Sequence, residues 1–65
     1  MYKNLETVLK SEGISKQAYS SILGITVKSV DNKINGITDF TLTEFQKTML
    51  LLRKYSADFV FADSN

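Results

Sequence analysis

The residues of this chain whose types and spacing could do chemistry lie on a short amphipathic segment after Thr26. On a helical wheel of about 100° per residue, its polar residues share one side: Lys28, Ser29 and Asn32. An ammonium, a hydroxyl and a carboxamide at this spacing can hydrogen-bond to the edges of nucleic-acid bases. An ordinary solvated helix face contains the same residue types, so the elements that position them must decide between the two interpretations.

Two short helices joined by a turn at Gly24 are predicted over residues 15–36. Ser15 and Thr26 each offer a side-chain oxygen that can cap a helix N-terminus. Each also lies within the apolar spacing of a hydrophobic staple, with the pairs Ile14/Tyr19 and Ile25/Val30. This layout is that of a helix-turn-helix, whose second helix can enter the major groove of DNA. A plain structural hairpin of two helices fits the pattern equally well.

Two further helices and a short tail complete the expected fold. The first helix runs from Tyr2 to near Gly13, and Thr41 with Glu44 forms a capping box that starts a helix reaching about Tyr55. The wheels predict these core residues in the second and fourth helices: Ala18, Tyr19, Ile22, Leu23, Leu42, Phe45, Met49 and Leu52. The appendage, residues 56–65, is predicted as a short strand or an irregular turn. We therefore expect an all-α, compact bundle of four to five helices.

Length and composition limit the function classes. Sixty-five residues make one domain, 1–65, and 43% hydrophobic residues suffice for a core. The chain has no Cys and no His, which removes the usual metal ligands and the commonest catalytic bases and nucleophiles. We expect no enzyme activity, no metal, no cofactor and no small-molecule substrate. No apolar run of about 18 residues and no leader segment is found, so we expect no membrane association and a cytoplasmic location.

Charge and size point to the expected partners. Residues 1–38 carry five Lys and three acids, a net +2, and residues 39–65 carry three bases and four acids, a net −1. The positive charge thus accompanies the predicted helix-turn-helix. A core of this size supplies only ~3–5 kcal/mol of stability, so we also expect a homodimer.

Residues 15–36 resemble the helix-turn-helix of the Cro/C1-type (XRE-like) phage repressors. LGIT at 23–26 followed by NG at 35–36 has the spacing of that family, and DFTLTE at 39–44 is similar to its entry into the fourth helix. Weaker similarity reaches ADFVF at 57–61. The resemblance implies a lambda repressor-like DNA-binding fold in a bacterial host cell, associated with the nucleoid.

The resemblance also implies roles for individual residues. It places four residues at base-reading positions of the recognition helix: Val27, Lys28, Ser29 and Asn32. It places four others at positions that contact the DNA backbone: Lys16, Gln17, Lys33 and Asn35. The sequence departs from the family at Ser20, where Ala is usual and a buried hydroxyl needs a backbone carbonyl one turn earlier. It also departs at Val27, which leans toward the core on the wheel, and at Ile34, which we interpret as core.

These observations predict a transcriptional repressor of phage or prophage type that binds double-stranded DNA sequence-specifically as a dimer. The alternative is a protein-binding module, an antirepressor or co-repressor that binds another phage regulator. The near-neutral net charge and the apolar tail suit that alternative. Four tail and fourth-helix residues form either a dimer seam or a packing surface for the tail: Leu51, Tyr55, Phe59 and Phe61.

Overall fold

The computed structural model describes residues 1–63, which form five helices and no strand. In chain order these are α1 (Lys3–Ser11), α2 (Lys16–Leu23), α3 (Val27–Ile34), α4 (Leu42–Leu51) and α5 (Ala57–Val60). They surround one core, with principal extents of 24 × 24 × 21 Å. The expected all-α bundle of four to five helices is confirmed.

The helices begin where local side chains satisfy the first free N–H groups. Ser15 Oγ accepts from the Ala18 N–H at 3.0 Å, and Thr26 Oγ1 accepts from the Ser29 N–H at 3.1 Å. At α4, Thr41 and Glu44 exchange side-chain and backbone hydrogen bonds, the full capping box. The three predicted helix starts are therefore confirmed. A fourth hydroxyl cap, from Ser56 to the Phe59 N–H at 3.2 Å, starts α5.

A buried hydrogen-bond chain fixes α2 to α4. Thr48 Oγ1 donates to the Glu44 carbonyl at 2.8 Å, so the Tyr19 hydroxyl, 2.6 Å from Thr48 Oγ1, is the donor in that contact. Tyr19 and Thr48 are both fully buried. Burial raises the pKa of Tyr19 to about 12, because the phenolate would lose its hydration.

Part of the predicted core is wrong. In α2 the buried residues are Tyr19, Ser20 and Leu23, whereas Ala18 is exposed and Ile22 is 40% exposed. The helix is rotated so that Ser20 faces inward. Its hydroxyl donates to the Gln17 carbonyl at 2.7 Å, which confirms the backbone partner expected for it.

The core face of α4 is also offset from the prediction. Glu44, Thr48 and Leu52 are buried one helical turn apart, Phe45 and Met49 are half-buried, and Leu42 is 72% exposed. The Thr48 and Glu44 contacts select this face, because each polar group has a buried partner on a neighbouring element. The helix ends at Leu51 rather than near Tyr55, and Ser56 caps the next helix.

The tail is the short helix α5, neither a strand nor an irregular turn. It packs against α1, where Asn4 Nδ2 donates to the Phe59 carbonyl at 3.0 Å and Val60 is fully buried. The Phe61 ring centroid lies 5.1–5.8 Å from those of three other rings: Tyr2, Phe40 and Phe45. Residues 64–65 of the predicted appendage lie outside the described residues.

No helix within residues 1–63 combines the length and the apolar character needed to cross a membrane.

Replacing Tyr19 with Phe should lower the free energy of unfolding by about 1 kcal/mol, because one buried hydrogen bond is lost while the ring stays. Urea denaturation followed by circular dichroism measures the change. Tyr55→Phe is the matched control, since its hydroxyl donates to Glu12 at the surface and its loss should cost less. Equal losses in the two variants would show that the Tyr19–Thr48 bond contributes no special stability.

Candidate functional site

The candidate site is the α2–α3 unit, whose turn is closed by the backbone. The Gly24 N–H donates to the Ser21 carbonyl at 3.2 Å, and the Ile25 N–H donates to the Ser20 carbonyl at 3.0 Å. Gly24 has φ of 73°, a left-handed conformation that strains residues with a Cβ. The two helices pack on each other and share the core through Tyr19 and Leu23 of α2 and through Val30 and Ile34 of α3.

The polar side of α3 faces outward. Val30 and Ile34 are buried at 0% and 2% exposure, which confirms Ile34 as core, whereas Lys28 is exposed and Ser29 and Asn32 are half-exposed. The Thr26 hydroxyl also lies 3.1 Å from Ser29 Oγ. The three side chains with base-edge chemistry are thus brought together on one accessible face of a supported helix.

Val27 belongs to the exposed surface and not to the core toward which the wheel placed it. Its side chain is 39% exposed and it is not part of the core cluster. As the first residue of α3, it adds an apolar group beside Lys28. The first N–H groups of a helix lack intrahelical acceptors, so this end of α3 presents donors as well.

Lys16 is tied to two carboxylates of its own chain. Its Nζ lies 2.8 Å from Asp31 Oδ1 of α3 and 3.3 Å from Glu6 Oε2 of α1. The hydrogen bond to Asp31, with a further one to Glu6, raises the pKa of Lys16. The ammonium therefore neutralises the carboxylate on α3, and a phosphate contact by Lys16 would have to compete with both acids.

Lys33 is also paired with a carboxylate of its own chain, and its side chain is more buried than that of Lys16. Its Nζ lies 2.9 Å from Glu44 Oε1 and donates to the Asp39 carbonyl at 2.8 Å, and the Lys33 and Glu44 side chains are each 11% exposed. Burial raises the pKa of Glu44, but the Thr41 N–H and the Lys33 ammonium outweigh it and leave the pKa below its usual value. Lys33 thus joins α3 to α4, and a phosphate contact by Lys33 would have to compete with Glu44.

The other two residues predicted to contact the DNA backbone remain accessible to solvent. Gln17 is exposed in the first turn of α2, and Asn35 is exposed immediately after α3. Asn35 is the C-cap residue of α3, and its N–H donates to the Asp31 carbonyl at 2.9 Å. Within residues 1–63, Lys28 makes no ion pair and is the only such cation on α3.

The four residues predicted as a dimer seam or a tail-packing surface make contacts within the chain. Phe61 joins the aromatic cluster, and Leu51 packs against the core. The Tyr55 ring stacks on Phe59 at 6.5 Å, and its hydroxyl donates to Glu12 Oε2 at 2.7 Å. These contacts match tail packing, although Phe59 stays 50% exposed.

Sequence reasoning missed the carboxylates that pair with the two lysines. Glu6 and Glu44 come from α1 and α4, and only the capping-box position of Glu44 was visible in the sequence. In the described part of the chain, no three His, Cys, Asp or Glu side chains are grouped so that they could hold a metal ion.

Comparisons of this chain with protein-family models, with curated proteins and with solved structures find no match.

The Lys33–Glu44 pair should make the stability of the domain sensitive to acid. The stabilisation is present above the unfolded-state pKa of Glu44, 4.5, and is lost as the pH falls through its lower folded-state pKa. Glu44→Gln should therefore be less stable than the wild type near neutral pH, and the difference in the free energy of unfolding should narrow as the pH falls below 4.5.

Urea denaturation at a series of pH values measures this difference. Glu6→Gln is the control, because the Glu6–Lys16 pair is exposed to solvent and should contribute less. A constant gap between Glu44→Gln and the wild type across the acid range would contradict the assignment.

Proposed function

We propose that this chain is a sequence-specific double-stranded DNA-binding transcriptional regulator, a repressor of the phage or prophage Cro/C1 type. The observation that carries the proposal is the outward polar face of α3 on a unit anchored to the core. The buried residues on the opposite side of α3 hold it in place, and Lys28, Ser29 and Asn32 remain accessible. Such a protein would act in the bacterial cytoplasm, at the nucleoid.

In this proposal α3 lies in the major groove and its side chains divide the recognition. Lys28 donates to guanine acceptors, and the Asn32 carboxamide pairs with adenine. Ser29 can hydrogen-bond to either base, and the exposed methyl groups of Val27 can make apolar contact with a thymine methyl. These contacts specify sequence, because the groove displays a different donor and acceptor pattern for each base pair.

In this proposal the contacts to the DNA backbone come more from neutral groups of the protein than from its cations. The side chains of Gln17 and Asn35 and the free N–H groups at the start of α3 can bond to phosphate oxygens. Lys16 removes the repulsion that Asp31 would otherwise exert on the DNA. With few unpaired cations near α3, one subunit should bind weakly, and its affinity should depend only modestly on salt.

A dimer would bind DNA more tightly than one subunit, because it places two α3 helices on one face of the duplex. Half-sites about 34 Å apart, one helical turn, would then form a palindromic operator. Occupancy of the operator excludes polymerase sterically. Selection of bound sequences from a random DNA pool tests binding, symmetry and half-site spacing together, and recovery of no enriched sequence at low ionic strength would refute the proposal.

Lys28→Ala should weaken binding to the selected operator by roughly 1–3 kcal/mol and relax the preference at one base position. Titration of operator and point-substituted operators in a fluorescence anisotropy assay measures both effects. Lys47→Ala, which removes one exposed cation from α4, is the matched control and should leave the base preference unchanged. If Lys28→Ala lowers affinity equally for all sequences, Lys28 contacts phosphate and does not read a base.

A second candidate function is supported by the apolar groups beside the α2–α3 turn. Ile22 and Val27 are 40% and 39% exposed, and Lys16 and Lys33 are occupied by acids of the same chain. This surface would suit a module that binds another regulator and masks its DNA-binding face. A gel shift with purified protein alone, and then with a neighbouring gene product, separates the two functions, because the second requires the other protein.

A further inference from the structure

The outer face of α4 carries an apolar strip that the fold leaves partly uncovered. We define the α4 strip by residues at helical spacing i, i+3, i+4, i+7 and i+8: Leu42, Phe45, Gln46, Met49 and Leu50. Leu42 and Leu50 are 72% and 66% exposed. Four strip residues line a groove of about 440 Å³: Phe45, Gln46, Met49 and Leu50. The Phe45 ring is held in position by the Phe61 ring, whose centroid lies 5.1 Å away.

The exposed leucines of this face are arranged symmetrically about Gln46, with Leu42 and Leu50 four residues to either side of it. Beyond the two ends of α4, Asp39 and Arg53 stand seven residues to either side of Gln46. Two copies of α4 crossing antiparallel on a two-fold axis at Gln46 would place each of these residues beside its counterpart. Leu42 would meet the second copy's Leu50, and the two Gln46 carboxamides would face each other.

Charge complementarity supports the same partner. Asp39 and Arg53 are exposed, and neither makes an ion pair within residues 1–63. Asp39 and Arg53 flank opposite ends of α4, so the antiparallel arrangement puts each Asp39 carboxylate at the same end as the Arg53 guanidinium of the second copy, giving two equivalent pairs of opposite charge. Parallel alignment would instead bring like charges together, which is unfavourable.

We propose that the α4 strip is a homodimer interface, with a second copy of this chain packed antiparallel about Gln46. The inference deepens the proposed function by naming the surface that would fix the two α3 helices in one particle. Its test contains no DNA, so failure of dimerisation and failure of DNA binding are distinguishable. Leu51, Tyr55, Phe59 and Phe61 are then assigned to packing of the tail.

The size of the surface indicates a weak dimer. A standard interface buries about 800 Å² per partner, which would be about a fifth of the 4129 Å² surface of this chain. One helix of 10 residues, about 15 Å long, covers less than that. We expect a dissociation constant on the order of 10–100 µM, measured by sedimentation equilibrium, and a chain that stays monomeric at about 1 mM would overturn the proposal.

Disulfide cross-linking tests the position of the axis, because the chain has no cysteine of its own. Helices packed 8–10 Å apart bring facing Cα atoms to about 3.4–5.4 Å, and the upper part of this range can be spanned by a disulfide. Gln46→Cys should therefore oxidise to a covalent dimer at a concentration near the expected dissociation constant, on the order of 10–100 µM. Lys47→Cys, one residue along on the polar side of α4, is the matched control, and equal or faster cross-linking of this variant would contradict the axis.

Charge reversal tests the antiparallel pairing. Asp39→Lys and Arg53→Glu should each raise the dissociation constant at least about 5-fold at low salt, since two equivalent pairs turn repulsive. The double variant should return to within about 2-fold of the wild type, because the pairs re-form with opposite polarity. A double variant as weak as the singles would exclude this pairing.

Apolar contact is tested by Leu42→Gln combined with Leu50→Gln. Both side chains are exposed in the monomer, so the fold should survive, and circular dichroism checks this. The dissociation constant should rise at least about 10-fold, whereas Phe59→Gln should leave it unchanged. The reverse result, loss of the dimer only in Phe59→Gln, would place the seam on the tail and overturn the proposal.

Discussion

The buried hydrogen bond between the Tyr19 hydroxyl and Thr48 is the contact on which the arrangement of the other elements depends. It joins α2 to α4 in a chain whose core is small, and Thr48 passes the connection on to the Glu44 carbonyl. The Glu44 carboxylate in turn holds Lys33 of α3. Both helices of the candidate site are therefore fixed to one turn of α4, and the orientation of α3 follows from polar contacts as well as from apolar packing.

The ends of the helices could be predicted from the sequence because capping is local. Ser15, Thr26 and Thr41 each bond to an N–H three residues further on, so the necessary partners lie within one turn. Burial was harder to predict. A helical wheel shows which residues share a face, but it does not show which face is buried. Ile22 and Leu42 are exposed because the buried polar contacts of α2 and α4 place a different face of each helix in the core.

Some features of the candidate site could likewise be predicted from the sequence and others could not. The outward direction of Lys28 and Asn32 follows from the apolar residues opposite them on a single helix, and the sequence contains that information. The partners of Lys16 and Lys33 do not follow, because their carboxylates come from three helices that are brought together only by folding. Counting cations in the sequence therefore overstated the positive charge that the α2–α3 unit presents to a nucleic acid.

The buried phenol of Tyr19 also sets an alkaline limit for the domain. In the folded chain its pKa is about 12, compared with 10.0 when it is exposed to water. Above pH 10.0 the unfolded chain releases this proton more readily than the folded one, so rising pH favours unfolding. Strong base thus opposes folding because it ionises a hydroxyl that the folded chain buries between α2 and α4.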